Sequence, residues 1–279
     1  PGDCANASFS AQAFFLAQYS MKQQLIFVIL WLLPPVALAE VPIWSDSELE
    51  AITANGTATD FIDFENDSLL LTQKDGFYTS GMRYSRYYRL RTNQGWRSSG
   101  WRFGQQLYTA SDVRLEPDQI SRFDHPYAGW LYGGLMMRSE ADDGSETALG
   151  LDIGCLGPCA GGAPTQEFIH RVLKQPRPRG WHTQLGNEWG VVMHAGGRAP
   201  YWKLAPWLDV RPGLSMRLGN IFTDLTAEAS LRAGQLQSMA ASGLSYVFLR
   251  GAVRAVAYDA TLQGGLFSDD DARTVAPKR

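Results

Sequence analysis

Long segments in which apolar and polar residues alternate constrain the fold of this chain more than any other feature. Within residues 147–155, Leu149 and Leu151 fall on one side of an extended chain, whereas Asp152 falls on the other side beside small residues. A period of two residues indicates β-strands with unlike faces. The pattern returns in two later segments, where charged and apolar side chains alternate: 202–217 and 223–232. The chain is therefore predicted to be all-β.

Strands with one apolar and one polar face fit either a soluble sandwich or a membrane barrel, which places the polar face in its lumen. The predicted strands are about ten residues long, whereas globular strands usually have about five or six. Tyr84, Trp101 and Trp130 lie near strand ends, as in the aromatic girdles of membrane barrels. We therefore predict a transmembrane antiparallel β-barrel, with strands at 61–71, 80–92, 100–109, 127–138, 145–155, 187–197, 202–217, 222–234, 243–258 and a further one after Tyr258.

Composition excludes two other classes of protein. The chain has 25 Lys and Arg against 28 Asp and Glu, so it lacks the basic excess that suits a protein to nucleic acid. Its mean hydropathy of -0.20 is too low for a helical membrane protein.

A segment near the start of the chain has the pattern of a signal peptide. The apolar run 25–33 follows Met21 and Lys22, and small residues close the segment at Ala37 and Ala39. The run is short for a membrane anchor, so we predict a signal peptide at 21–39, with cleavage after Ala39. Residues 1–20 are expected to be an upstream extension, and 40–279 a single barrel domain.

Two cysteines, Cys155 and Cys159, follow the predicted cleavage point. In an oxidising compartment they could form a disulfide. Cys155 also continues an apolar strand face, and this second interpretation is the favoured one. Neither cysteine fits a metal site.

An insert at 156–186 interrupts the alternation and contains a predicted helix at 165–174. Gln166 and His170 stand one turn apart on this helix and are expected to point into the same small volume. The remaining face is apolar and consists of Phe168, Ile169, Val172 and Leu173. His170 is therefore either a reactive residue or simply a packed or solvated one.

Polar residues also interrupt the apolar pattern at Asn66, Asp67 and Thr79. Asn66 and Asp67 are equally compatible with a lumen-facing position or a turn. The chain contains no Gly-x-Ser-x-Gly elbow, zinc-type histidine pair or phosphate loop. The candidate catalytic or ligand-binding residues are therefore Asn66, Asp67, Thr79 and His170.

Several ordered segments of the chain resemble the outer-membrane lipid A 3'-O-deacylase family. The resemblance spans most of residues 40–279, and the segments that carry it are Glu65-Asn66-Asp67, Asp75 to Gly81, Gly104 to Thr109, Asp124 to Trp130, Gly157 to Gly162, Gln166 to Arg171, Gly180-Trp181 and Gln184 to Glu188.

This resemblance implies a twelve-stranded barrel of the bacterial outer membrane, with an active site inside the wall near the outer leaflet. It implies calcium-dependent hydrolysis of the ester at the 3' position of lipid A. His170 would be the general base, Asp67 would bind calcium with Asn66 beside it, and Thr79 and Gln166 would complete the site. The implied partners are lipid A or lipopolysaccharide and membrane lipid, without nucleic acid, and we expect a monomer.

Two departures from the family pattern stand out. His125 replaces the usual Arg before Pro-Tyr-Ala-Gly-Trp, and we interpret it as structural. The chain also ends before the closing strands of the family, so we expect a C-terminally truncated barrel.

Two other functions compete with deacylation. An outer-membrane phospholipase would need a Ser nucleophile beside a His, for which the sequence shows no His-x-Ser arrangement. A non-catalytic porin-like barrel would leave Asn66, Asp67 and His170 dispensable.

Overall fold

The computed structural model of the chain describes residues 42–66, 77–121, 123–239 and 243–268. The described strands form one antiparallel sheet that curls into half of a barrel, in which each strand pairs with its neighbour in the chain except that β6 pairs with β8 and β7 pairs with β8 alone. The strands are β1 (Thr57–Asn66), β2 (Phe77–Thr92), β3 (Gly95–Thr109), β4 (Ala128–Glu140), β5 (Glu146–Leu156), β6 (Glu188–Arg198), β7 (Trp202–Ala205), β8 (Leu208–Gly219), β9 (Phe222–Met239) and β10 (Gly243–Asp259).

The all-β antiparallel prediction is confirmed, and most predicted strands agree with the structure to within a few residues. The segment predicted as one strand at 202–217 is instead a hairpin of β7 and β8, with a turn at Pro206 and Trp207. Proline has no N–H to donate to a neighbouring strand, so a break at Pro206 has a local cause. The predicted end of the first strand, 67–71, lies outside the described residues.

The two faces of the sheet reverse the burial pattern of a soluble protein. Arg102 and Asp152 are only 9% and 4% exposed, whereas Phe103 and Leu135 are 52% and 65% exposed. We call the side with Arg102 and Asp152 the inner face and the side with Phe103 and Leu135 the outer face. An apolar outer face and a polar inner face are the arrangement of a barrel in lipid.

The charged residues of the inner face are paired with one another. Asp152 accepts two hydrogen bonds from Arg102 at 2.8 and 2.7 Å, and His194 Nε2 lies 2.7 Å from the same carboxylate. Similar pairs follow along the later strands: Arg217–Asp224, Arg232–Asp209 and Arg198–Glu228. This pairing offsets the cost of removing charges from water.

The two ends of the sheet differ in their connections. At the turn end, β2 and β3 are joined by Asn93 and Gln94 alone. At the loop end, residues 110–127 join β3 to β4 and residues 157–187 join β5 to β6. Long connections at one end leave room there for a site on a rigid sheet.

Three α-helices accompany the sheet in the described residues: α1 (Asp46–Asn55), α2 (Gly162–Leu173) and α3 (Ala260–Gln263). A capping box fixes the start of α1, since Ser45 accepts a hydrogen bond from the Glu48 amide and Glu48 accepts one from the Ser45 amide. None of the helices in the described ranges is long and apolar enough to cross a membrane.

A disulfide joins Cys155 at the end of β5 to Cys159, with a Cα–Cα distance of 6.0 Å. The less favoured of the two sequence interpretations is therefore the one that the structure adopts. Cys155 still occupies an outer-face position of β5, so the strand pattern itself was correctly identified.

Candidate functional site

Helix α2 lies on the outer face of the sheet at its loop end. A Cβ on Gly162, the first residue of α2, would lie 3.1 Å from Leu107 Cδ2 of β3, and a Cβ on Gly129 of β4 would lie 3.4 Å from the Gly162 amide. Leu107 and Gly129 are paired neighbours in the sheet and alternate with the inner-face residues. The helix therefore covers the top of the face whose lower part is exposed and apolar.

The chain before α2 is attached to the sheet at several points. Gln105 Nε2 donates a hydrogen bond of 2.6 Å to the Ala160 carbonyl, and the Cys159 amide donates one of 2.8 Å to Asn187 Oδ1. The disulfide to Cys155 adds a covalent link to β5. These attachments fix the start of α2 relative to β3 and β5.

Two polar residues of α2, Gln166 and His170, face the protein, whereas Phe168, Val172 and Leu173 face outward. Gln166 and His170 are 2% and 4% exposed, as the shared helical face predicted. The helix itself begins three residues earlier than predicted and ends one residue earlier, at Leu173. Buried polar side chains on a helix need partners, so the contacts of these two residues define the site.

His170 is held by the chain that follows the helix. Lys174 adopts a left-handed conformation with φ 56°, and the Gln175 amide donates a hydrogen bond of 2.8 Å to the His170 carbonyl. This turn brings the Pro176 carbonyl to 2.5 Å from His170 Nδ1. Since a carbonyl only accepts, Nδ1 carries the proton and Nε2 carries the lone pair of the neutral ring.

Gln166 has one satisfied and one unsatisfied end. Trp181 Nε1 donates a hydrogen bond of 2.6 Å to Gln166 Oε1, which fixes the orientation of the amide. Within the described part of the chain, the buried Nε2 of Gln166 has no hydrogen-bond partner. The site thus contains a donor that a bound group can satisfy.

Trp181 is the aromatic residue on which this region packs. Its ring meets that of Tyr127 edge to face at 5.3 Å, and both belong to an apolar cluster with Leu107, Ala110 and Ile120. Glycines allow the close approach, because a Cβ on Gly162 would lie 2.5 Å from the Trp181 ring and one on Gly180 would overlap the Tyr127 ring. Sequence reasoning did not identify Trp181 as a site residue, although the Gly180-Trp181 motif marked its position.

Thr79 lies at an irregularity in the sheet. Tyr78 and Ser80 pair with consecutive residues of β3, so Thr79 is the extra residue of a bulge. Its hydroxyl lies 2.5 Å from that of Thr109, and both residues are fully buried. Thr109 follows Leu107 on the outer face of β3, which puts Thr79 on the side of the sheet that α2 covers.

Asn66 ends β1 in the same cross-strand row. Asn66 pairs with Ser80, Ser80 with Leu107, and Leu107 with Gly129 beneath α2. Directly paired residues of an antiparallel sheet share a face, so this row leads from Asn66 to the start of the helix. Asp67, the predicted calcium ligand, lies outside the described residues.

His125 packs beside this region. Its ring stacks on Tyr108 at 5.5 Å, and its Nδ1 lies 2.7 Å from the Pro126 carbonyl. Burial lowers the pKa of His125 below its ordinary value, which favours the neutral ring. These contacts agree with the structural interpretation of His125.

Comparison with known proteins identifies the family. A family model described as outer membrane protein LpxR matches residues 25–279. The chain belongs to the LpxR family. It is accordingly a protein of the bacterial outer membrane.

A solved structure of LpxR from Salmonella typhimurium is similar to this LpxR-family chain, with a TM-score of 0.60 and 22% sequence identity. The similarity covers 76% of this chain and 81% of that one, and it establishes the barrel fold. No curated protein sequence matches the chain.

For this LpxR-family chain, the resemblance implied an active site inside the wall, but the structure places Gln166 and His170 elsewhere. The side chains of Gln166 and His170 belong to a helix that lies on the outer face and not in the lumen. The alternation of polar and apolar residues along the strands does not specify which face an insert covers, because a connection at the strand ends can fold back over either face.

A metal site has partial support in the chemistry of the residues. The described ranges contain no group of three or more His, Cys, Asp and Glu residues that could hold a metal ion. Calcium prefers carboxylate and amide oxygens, which the segment Glu65-Asn66-Asp67 contains, but Glu65 lies on the inner face, where it accepts a hydrogen bond of 2.6 Å from the Tyr78 hydroxyl. Asn66 ends β1 on the row below α2, so Asn66 and the residue that follows it, Asp67, are the part of this segment that would hold calcium.

Proposed function

We propose that this protein is a calcium-dependent hydrolase that releases the 3'-O-linked acyloxyacyl chain of lipid A in the outer membrane. One observation carries the proposal: α2 buries its polar residues, Gln166 and His170, against the end of the sheet where Asn66 and Thr79 lie. Membership of the LpxR family supports a lipid A deacylase.

His170 acts as the general base in this proposal. Its Nδ1–H donates to the Pro176 carbonyl, so Nε2 accepts a proton from water. The hydroxide forms a bond to the ester carbonyl carbon, and the carbon–oxygen bond to the sugar then breaks. The proton returns from His170 to the leaving sugar oxygen, which yields a free fatty acid and a sugar hydroxyl.

Gln166 binds the carbonyl oxygen in the same proposal. Its Nε2–H groups are buried, and the bond from Trp181 to Oε1 directs them away from Trp181. A donor oriented in advance stabilises the negative charge that develops on the carbonyl oxygen in the transition state. Thr79 supports the wall of the site through its hydroxyl contact with Thr109.

Calcium would be held by Asp67 and Asn66, at the end of β1. When bound, this hard cation would polarise the ester carbonyl and stabilise negative charge on its oxygen. His170 and Gln166 would act on the water and on the carbonyl oxygen of the same ester.

The location of α2 on the outer face suits a lipid substrate. Lipid A lies in the outer leaflet, and the exposed apolar face of the barrel meets lipid directly beneath the helix. A substrate can therefore reach the site by lateral movement without leaving the bilayer. A single chain supplies every residue named in the proposal, so we propose a monomer as the active unit.

An assay on vesicles that contain both lipid A and phospholipid tests this proposal. We expect loss of the 3' acyl chain from lipid A by mass spectrometry, its suppression by a calcium chelator and its recovery on addition of calcium. Release of fatty acid from phospholipid alone would instead identify a phospholipase. A folded protein that cleaves neither lipid would favour a non-catalytic barrel.

A further inference from the structure

The outward side of α2 is an unusual surface for a helix. Phe168, Val172 and Leu173 are 63%, 62% and 58% exposed, while Gln166 and His170 of the same helix are buried. A helix on the surface of a soluble protein shows the opposite pattern, with its apolar stripe against the core. Water alone is therefore a poor environment for this face.

The exposed face of α2 continues an apolar surface that is already lipid-facing. Phe64 and Met82 occupy outer-face positions two residues below the Asn66 row, and both are exposed. Phe103 lies four residues before Leu107 on β3, or about 13 Å along the strand. The helix thus begins directly above the band of side chains that contacts acyl chains.

Positive charge is concentrated at the end of α2. Arg171 and Lys174 are exposed at its last turn, and Arg177 follows with only a partial partner in Glu167 at 3.2 Å. An amphipathic helix with an apolar face and flanking basic residues is typical of segments that lie in a membrane interface. Arg171 and Lys174 would reach the phosphates while the apolar face enters the acyl region.

We propose that α2 is an interfacial membrane helix, with Phe168, Val172 and Leu173 inserted among the acyl chains of the outer leaflet. The helix then covers the site from the lipid side, and the helix itself is anchored in the bilayer. Insertion removes the three apolar side chains from water, and it holds Gln166 and His170 against the sheet. The inference concerns the position of the helix and is independent of which ester the protein cleaves.

Spin labels on single cysteines test the position of each side chain. Cys155 and Cys159 are joined, so an added cysteine is the one free thiol in residues 40–279. The labelled variants are Phe168→Cys, Val172→Cys and Leu173→Cys, reconstituted in vesicles of phosphatidylethanolamine and phosphatidylglycerol. Leu135→Cys on the outer face provides the lipid reference, and Arg177→Cys provides the aqueous reference.

Collision of the label with oxygen or with a water-soluble nickel complex reports its surroundings. We expect the three α2 labels to match Leu135→Cys, with high oxygen and low nickel accessibility, and Arg177→Cys to show the reverse. High nickel accessibility on α2, with Leu135→Cys still in lipid, would place the helix in water and overturn the proposal. Low accessibility to both would indicate cover by protein and would overturn it equally.

The measurement is repeated in His170→Asn protein, which separates this inference from the proposed function. If α2 is interfacial, its labels remain in lipid although hydrolysis is lost. A further Val172→Asp substitution places a charge on the inserted face, and we expect it to raise nickel accessibility at position 168. An unchanged label at position 168 would contradict insertion of this face.

Discussion

The inner face of the sheet and the region under α2 bury polar side chains to a similar degree, but they differ in whether those side chains have hydrogen-bond partners. On the inner face, the Asp152 carboxylate is bound by Arg102 and His194. Under α2, Gln166 is equally buried, yet its Nε2 has no partner among the described residues. Buried polar groups that bind one another stabilise the barrel, whereas a buried donor left without a partner is available to a ligand.

The energetic difference between the two regions is considerable. An unsatisfied buried donor costs about 1–3 kcal/mol, so a chain retains one where a bound group completes its hydrogen bonds. Removing one partner of a buried ion pair lowers the stability of the fold, because the remaining buried charge is then uncompensated. Substitutions in the two regions should therefore separate activity from stability.

The histidines of the two regions provide the largest contrast. His170→Asn should lower hydrolysis by roughly two to four orders of magnitude, the usual effect of losing a general base. The barrel should still insert and show heat-modifiable migration, because His170 belongs to an insert and not to a strand. Release of the 3' acyl chain per folded molecule is the measurement.

His194→Asn is the matched control on the inner face. It removes the contact with Asp152 and should lower the free energy of unfolding in urea by about 1.5–3 kcal/mol, while activity per folded molecule is retained. Near-normal hydrolysis by well-folded His170→Asn protein would end the general-base assignment and move attention to His125, His182 and His194.

Two glutamines on the same side of the sheet provide the second contrast. Gln166→Glu keeps an oxygen for Trp181 but removes the Nε2 donor, so we expect kcat to fall by about 10²–10³ with little change in KM. Gln105→Leu removes a donor that is already bound to the Ala160 carbonyl. It should loosen the attachment of α2 by about 1 kcal/mol and affect kcat far less. Equal effects of the two substitutions on kcat would refute the distinction.

Two aspartates of neighbouring sequence provide the third contrast. Asp67→Ala should weaken calcium binding by roughly tenfold or more, as measured by titration calorimetry on the folded protein. Asp63→Asn removes the β1 carboxylate that pairs with Arg83 of β2. This substitution should leave calcium affinity unchanged. Unaltered calcium binding by Asp67→Ala protein would show that this residue is not a ligand.

The smallest expected effect concerns His125 and pH. Burial lowers its pKa, so the folded protein binds this proton less readily than the unfolded chain does. The free energy of unfolding therefore has its full value above the ordinary pKa of 6.5, and it falls as the pH decreases below that value. Urea unfolding from about pH 7.5 to about pH 5.5 should show a modest loss in the wild type and a smaller one in His125→Phe protein, whose ring can still stack on Tyr108. Identical pH dependence in both would exclude His125 as the source.

Much of the sheet was predictable because one physical rule governs every strand. Lipid on one side and a polar interior on the other impose a period of two, which Leu149, Leu151 and Asp152 display plainly. The break at Pro206 was missed because the alternation continues through it. Helix α1 was also missed, although Ser45 and Glu48 form a capping box that is visible in the sequence.

The site was predictable only in part. The spacing of Gln166 and His170 indicated their shared helical face, but not which face of the sheet the helix covers. Sequence patterns describe each element relative to its own axis, whereas the position of α2 depends on contacts with Leu107 and Gly129, far away in the chain. The Thr79 contact with Thr109 likewise depends on a bulge that alternation does not reveal.

The glycines at 162 and 180 allow the chain around α2 to pack directly on two aromatic rings. Each occupies a place where a methyl group would collide with an aromatic ring, Trp181 in one case and Tyr127 in the other. The close packing of this region therefore depends on the absence of a side chain at both positions. Gly162→Ala and Gly180→Ala should therefore each push an aromatic ring or the backbone beside it out of place, at a cost of about 1–3 kcal/mol in stability.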